Sequence, residues 1–200
     1  MTLPLEGLPS EPKAPRMTER DMLDLLHQRY SAVSQGDSIR YACAEHVASH
    51  TGWTNAEGQR AEPRRADFLA QDCWNSHGLH LHGHEVKVSR SDWLTELRDP
   101  TKAEAVKRYC DRWWLVVSDR EIVRDDLPVG WGLMAPGRDG RLRVVRSAPT
   151  LTPEPMPAAF HAALLRGTAK TAARRGAVIA QKDAEIARLR DRLDHALRTS

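Results

Sequence analysis

The chain has 200 residues, 40% of them hydrophobic and 28% charged, with a formal net charge of +3. That is an ordinary globular composition with room for one medium-sized domain and appendages. No stretch approaches the roughly 18 to 20 consecutive apolar residues that cross a bilayer, the opening MTLPLEGLPSEPKAPR lacks the basic and apolar regions of a secretory signal, and Cys43, Cys73 and Cys110 are too far apart for a disulfide framework or a zinc knuckle.

A cytoplasmic protein with no membrane association is the expectation. The charge is uneven: residues 158–200 carry nine Lys/Arg against four Asp/Glu, a net +5, so the rest of the chain sums to −2. A basic tail on a neutral-to-acidic body suits a polyanionic partner, although solubility alone would also explain it.

In chain order, the proline-rich residues 1–17 read as a disordered leader. TERDMLDLLHQRYS predicts a helix capped by Thr18, with Met22, Leu25, Leu26 and Tyr30 on one side. SIRYACAEHVASHTG predicts a second helix, capped by Ser38 and stopped at Gly52, with Tyr41, Ala44, Glu45 and Ala48 facing the domain. A polar loop follows between Trp53 and Arg64. RADFLAQDCW and GLHLHGHEVKVS predict two strands joined by the turn NSHG. SDWLTELRDPTKAEAVKRYCDRW reads as two helices broken at Pro100. Ser91 would cap the first, with Trp93, Leu94 and Leu97 inward, and Thr101 with Glu104 would form a capping box on the second.

WWLVVS, GWGLMAP and RLRVVRSAP predict three further strands, the last two joined by GRDG. These elements delimit a domain over residues 18–149. A proline-rich linker over 150–157 and a basic helix over 158–200 follow it. In that helix Ile179, Ile186 and Leu193 recur every seventh residue with Leu189 between, interrupted by Lys182, as in a short coiled coil.

The chemistry concentrates in HGHEVKVSRSDW. Residues two apart on a strand share a face, so Leu79, Leu81, Gly83, Glu85, Lys87 and Ser89 lie together, and His80, His82, His84, Val86 and Val88 lie on the other side. By the same rule Asp67, Leu69 and Gln71 share a face of the preceding strand, and a hairpin would bring Asp67 and Glu85 together near one end of the sheet. Two carboxylates and an ammonium converging there are costly unless compensated. Mg²⁺ or Mn²⁺ would compensate them, and would supply an acidified water and charge stabilisation for phosphodiester hydrolysis.

An Asp on one strand followed by Glu-X-Lys on the next resembles the PD-(D/E)XK nuclease signature, carried by RRAD ending at Asp67 and by EVK at 85–87. RRADFLA, EVKVSRSDWLTELRD, YCDRWWLVV, LPVGWGLMAP and LRVVRSAP occur in the order of the MmcB-like DNA repair family, a branch of that superfamily, over residues 38–149. Ala66 stands where the superfamily's name has proline.

The resemblance implies an α/β, restriction-endonuclease-like core with a mixed sheet flanked by helices and a C-terminal basic helical extension. It implies Asp67 and Glu85 as metal ligands with the Val86 carbonyl as a third, and Lys87 orienting water or stabilising the phosphorane. Glu45 would be the further acid brought from a preceding helix. Lys102, Lys107, Arg108 and Tyr109 would contact phosphate beside the site. The implied function is a metal-dependent DNA nuclease in repair or processing; the alternative is a catalytically inactive DNA-binding or repair scaffold.

Other groups carry competing readings. His77, His80, His82 and His84 could bind zinc or be ordinary strand histidines. Trp113 and Trp114 could stack nucleobases or fill the core. Arg64 and Arg65 could contact phosphate or neutralise the carboxylates. The tail, with Arg174 and Arg175, could lie along DNA, form a homodimer, or be a solvated helix.

Overall fold

A computed structural model of the chain describes residues 17–33, 38–50, 63–99 and 101–198. Nearly all of the leader, most of the expected polar loop and Pro100 fall outside the described residues. Six strands form one sheet in chain order: β1 (Tyr41–Ala48), β2 (Arg65–Asp72), β3 (Leu81–Lys87), β4 (Arg112–Val117), β5 (Trp131–Pro136) and β6 (Leu142–Arg146). The β1–β2, β2–β3 and β5–β6 pairs are antiparallel, and β3–β4 and β4–β5 are parallel. Helix α1 (Glu19–Arg29) covers one face; α2 (Arg90–Leu97), α3 (Thr101–Lys107) and the start of α4 (Ala158–Arg198) cover the other. The expected α/β class and mixed sheet flanked by helices are thus present.

The parallel centre behaves as strands buried on both faces should. Every residue from Trp113 to Val117 is buried. The two large indoles fit because each lies beside a glycine of the neighbouring strand, Trp113 beside Gly83 and Trp114 beside Gly132. A Cβ would stand 2.3 Å from the Trp113 ring at Gly83 and 2.4 Å from the Trp114 ring at Gly132. Both tryptophans are core residues, so neither offers a face for stacking bases.

β1 corrects the second expected helix. Tyr41 and Cys43 pack with α1, whereas Ala44 and Val47 pack with the opposite cluster. Strict alternation would not put Ala44 and Val47 on one side. A kink at His46, whose φ is 51°, resets it. The expected face of Tyr41, Ala44, Glu45 and Ala48 is split in the strand, with Tyr41 packed with α1 and Ala44 with the opposite cluster.

Two caps also differ. Ser89, not Ser91, caps α2 by accepting from the Asp92 N–H, so the helix begins directly after β3. Thr101 is the first residue of α3 and donates its hydroxyl to the Asp99 carboxylate, while Glu104 pairs with Lys107 instead of completing a capping box. Thr18 caps α1 as expected, and Asp21 at the third helical position completes a capping box that was not expected.

The proline-rich stretch is docked rather than free. Leu151 N–H donates to Asp111 O and Glu154 N–H to Arg108 O, with Leu151 and Met156 packed on the core. α4 enters from this strap, and its Phe160, Ala163 and Leu164 are buried against the body. From Arg174 onwards α4 is largely exposed.

Candidate active site

The β2–β3 ladder runs from Gln71 opposite Leu81 to Phe68 opposite His84, then stops. The next position would have paired Asp67 with Glu85. Ser118 N–H binds Lys87 O, so alternation points the backbone of Val86 the other way, towards β2. There Asp67 Oδ2 accepts the Val86 N–H at 2.8 Å, a carboxylate taking the place of a missing rung. On the other side of β2, the β1–β2 register holds before and after His46 opposite Asp67 but omits that pair. Two neighbouring interruptions thus meet at one carboxylate.

Glu85 and Lys87 share a face, as strand geometry requires, with Lys87 Nζ 2.6 Å from Glu85 Oε1 and 3.3 Å from Glu96 Oε2. Their side chains are only 10%, 15% and 11% exposed for Glu85, Lys87 and Glu96. Glu85 and Glu96 therefore flank one ammonium, with the Asp67 charge also acting on it, and the three acids leave an excess of negative charge. Burial, then the Asp67 carboxylate, pushes Glu85 above the usual carboxylate range. Burial raises Asp67 as well. For Lys87 burial favours the neutral amine, but the surrounding carboxylates, Glu85 foremost, outweigh it and keep the ammonium firmly charged.

Glu19, His46 and Asp67 each offer a ligand atom, all within 4.8 Å of one another. This is the one such group of three or more among the described residues, so Glu85 is held by Lys87 rather than joined to it. Sequence reading missed Glu19, His46 and Glu96. Only Glu96 left a signal: it stands one helical turn after the core residue Trp93, on the side of α2 that faces the sheet.

Glu45, expected on a helix beside the site, lies on β1 and is turned towards α1. Arg20 binds both of its oxygens at 2.8 Å, and His27 Nε2 lies 2.8 Å from Oε1. Burial would raise Glu45, but these bonds prevail and hold it down to about 2. It anchors β1 to α1 and is not among the ligand atoms that gather with Asp67.

Arg64, Arg65 and Lys102 line a cleft of about 350 Å³ together with Glu85 and Glu96. Lys107, Arg108 and Tyr109 are not brought there: they precede Asp111, whose carboxylate binds Leu81 N–H at the opposite end of β3, and Tyr109 is buried on Phe160. Arg174 reaches Glu45 at 3.5 Å and Arg175 reaches Asp24 at 3.1 Å.

Among the described residues His77, His80, His82 and His84 belong to no group of three or more ligand atoms. His84 is wholly buried, 2.9 Å from the Tyr30 hydroxyl and 3.2 Å from Phe68 O. His82 packs on Tyr30 and Tyr41 beneath α1. Among the described residues no helix is long and apolar enough to cross a membrane. Compared with known proteins, the chain matches no family model, no curated protein and no solved structure.

Proposed function

We propose that the protein is a metal-dependent nuclease with a restriction-endonuclease-like core of the MmcB-like kind, hydrolysing phosphodiester bonds of DNA in repair or processing. The observation that carries this reading is the junction where β2 and β3 part, with Asp67 in the gap and Lys87 held between Glu85 and Glu96. The donor set fits a divalent cation: Asp67 and Glu19 offer oxygen and His46 an imidazole nitrogen, a mixture that suits Mn²⁺ better than Mg²⁺. Bound there, the cation would stabilise charge on a phosphate oxygen and acidify a water.

The chain's own residues have separable roles. Asp67 uses Oδ2 on Val86 and retains Oδ1 for a ligand. Lys87 stabilises negative charge developing on the phosphoryl group. Glu85, in its ionised form paired with Lys87, accepts the proton of the attacking water as the new phosphorus–oxygen bond forms and the bond to the leaving oxygen breaks. Arg64, Arg65 and Lys102 hold the flanking phosphates. In phosphoryl transfer such positioning and charge stabilisation supply most of the catalysis.

The test is cleavage of supercoiled plasmid, linear duplex, single strand, splayed arm and four-way junction with Mn²⁺ or Mg²⁺, comparing wild type with Lys87→Ala. Loss of about 10²- to 10³-fold in rate is expected, in line with removal of one charge-stabilising donor. No cleavage, or equal cleavage by the variant, would replace the nuclease with a catalytically inactive DNA-binding scaffold.

A second copy of the chain is the partner proposed for the far half of α4. Ile179, Ile186, Leu189 and Leu193 are 46% to 61% exposed on one stripe. In the same heptads Glu185 and Arg190 occupy flanking positions that would pair between two parallel copies.

A further inference from the structure

We infer that the groove between β1 and α4 is a track for one strand of nucleic acid, leading it to the carboxylate junction. This rests on the nuclease reading and adds to it the class of substrate: nucleic acid with a single-stranded segment. The groove encloses about 440 Å³, and its basic lining is His46, His50, Arg65, Arg166, Lys170 and Arg174, with Glu45 the one acid. Glu45 is already engaged by Arg20 and His27, so the groove is strongly positive.

Three features give the positive charge a direction. Arg166, Lys170 and Arg174 stand four residues apart on α4, so they rise in steps of about 6 Å, close to the spacing of successive phosphates along an extended strand. Among the described residues no acid pairs with Arg166 or Lys170, whereas most other charged groups nearby are spoken for. Finally, the groove is continuous with the site. Pro63 and Arg65 line both it and the cleft holding Glu85 and Glu96, and His46 belongs both to the groove and to the group with Glu19 and Asp67.

The walls decide what can enter. β1 forms one and α4 the other, and they close on each other at Gly167, where a Cβ would stand 3.1 Å from Val47 and 3.2 Å from Ala44. A groove of about 440 Å³ with its two walls in contact along its floor has room for a single phosphodiester chain with its bases turned outward, not for a continuous duplex. DNA and RNA strands present the same phosphate ladder.

The test is anisotropy of labelled single-stranded DNA, single-stranded RNA and blunt duplex DNA, titrated with full-length protein in EDTA so that cleavage plays no part. Wild type is expected to bind a single strand at least tenfold more tightly than the duplex. Arg166→Ala/Lys170→Ala should remove that preference and reduce the slope of log affinity against log salt by about 1.4, two single-strand phosphate contacts at about 0.7 each. Both side chains are exposed, so the melting temperature should be unchanged. Lys182→Ala/Arg188→Ala, with the same charge loss farther along α4, should leave binding as in wild type. Equal affinity for duplex and strand, or equal loss in the two double variants, would overturn the inference. Strand binding without cleavage in Mn²⁺ would keep the groove and remove the nuclease; cleavage that ignores the groove variant would do the reverse.

Discussion

Glu85 and Glu45 are both buried acids, yet their surroundings push them in opposite directions, and each has a consequence with a definite sign. Glu85 binds its proton more tightly in the folded state than in the unfolded chain. Its contribution is therefore full below the ordinary carboxylate range and is lost as pH rises through its elevated value. Glu85→Gln should raise the melting temperature of the metal-free protein at pH 8, flatten its decline with pH, and abolish cleavage; a variant less stable than wild type at pH 8 would contradict this account. Glu45 is the reverse case, held down to about 2 by Arg20 and His27. Its contribution is present above the ordinary carboxylate range and lost as pH falls towards 2. Glu45→Gln should cost on the order of 1 to 2 kcal/mol at neutral pH, because it removes the charge-assisted bonds from Arg20, which is part-exposed and keeps Asp24, and much less at pH 2.5, as urea melts at both pH values would reveal. Asp67, Glu85 and Lys87 could be singled out in the sequence because period-two alternation fixes which side chains share a face. Glu19 and His46 could not, since a kink in β1 and the seat of α1 create their proximity.

Among the elements, β4 was readable because WWLVV is apolar throughout, and α1 because its cap and its apolar spacing agree. β1 was misread because the left-handed residue at position 46 interrupts its alternation. The indole–glycine contacts between strands were equally hidden, since they depend on register. They predict that Gly83→Ala destabilises by about 1 to 3 kcal/mol through overpacking against Trp113, measurable as a lowered urea midpoint with unchanged slope. The far half of α4 makes its own prediction. Ile186→Ser/Leu193→Ser should convert a dimer to a monomer in sedimentation velocity while leaving the fold intact, because both residues are exposed in the single chain. A wild-type monomer at high protein concentration would dispose of the pairing.

At the scale of the whole molecule, the body that packs together is larger than the segment from 18 to 149. The strap at 148–157 and the first part of α4 complete one face of the sheet. Composition separated that tail from the body because charge dominates its sequence, whereas Phe160, Ala163 and Leu164, few in number, decide its packing. The proposed cation site at Glu19, His46 and Asp67 carries its own stability prediction. Mn²⁺ at a hundred times its dissociation constant should stabilise by about 2.7 kcal/mol, seen as an upward shift in melting temperature that Asp67→Asn removes. Absence of any shift at millimolar Mn²⁺ would count against the site.

The choice of asparagine there follows from the missing rung between β2 and β3. In the proposed nuclease Asp67 is at once a ligand and a piece of scaffolding, and one substitution can separate the two duties. Asparagine keeps an amide oxygen to receive the Val86 N–H while surrendering the charge; alanine would strand that donor and loosen the strand ends. Only the first removes the charge in a variant whose shape can still be trusted.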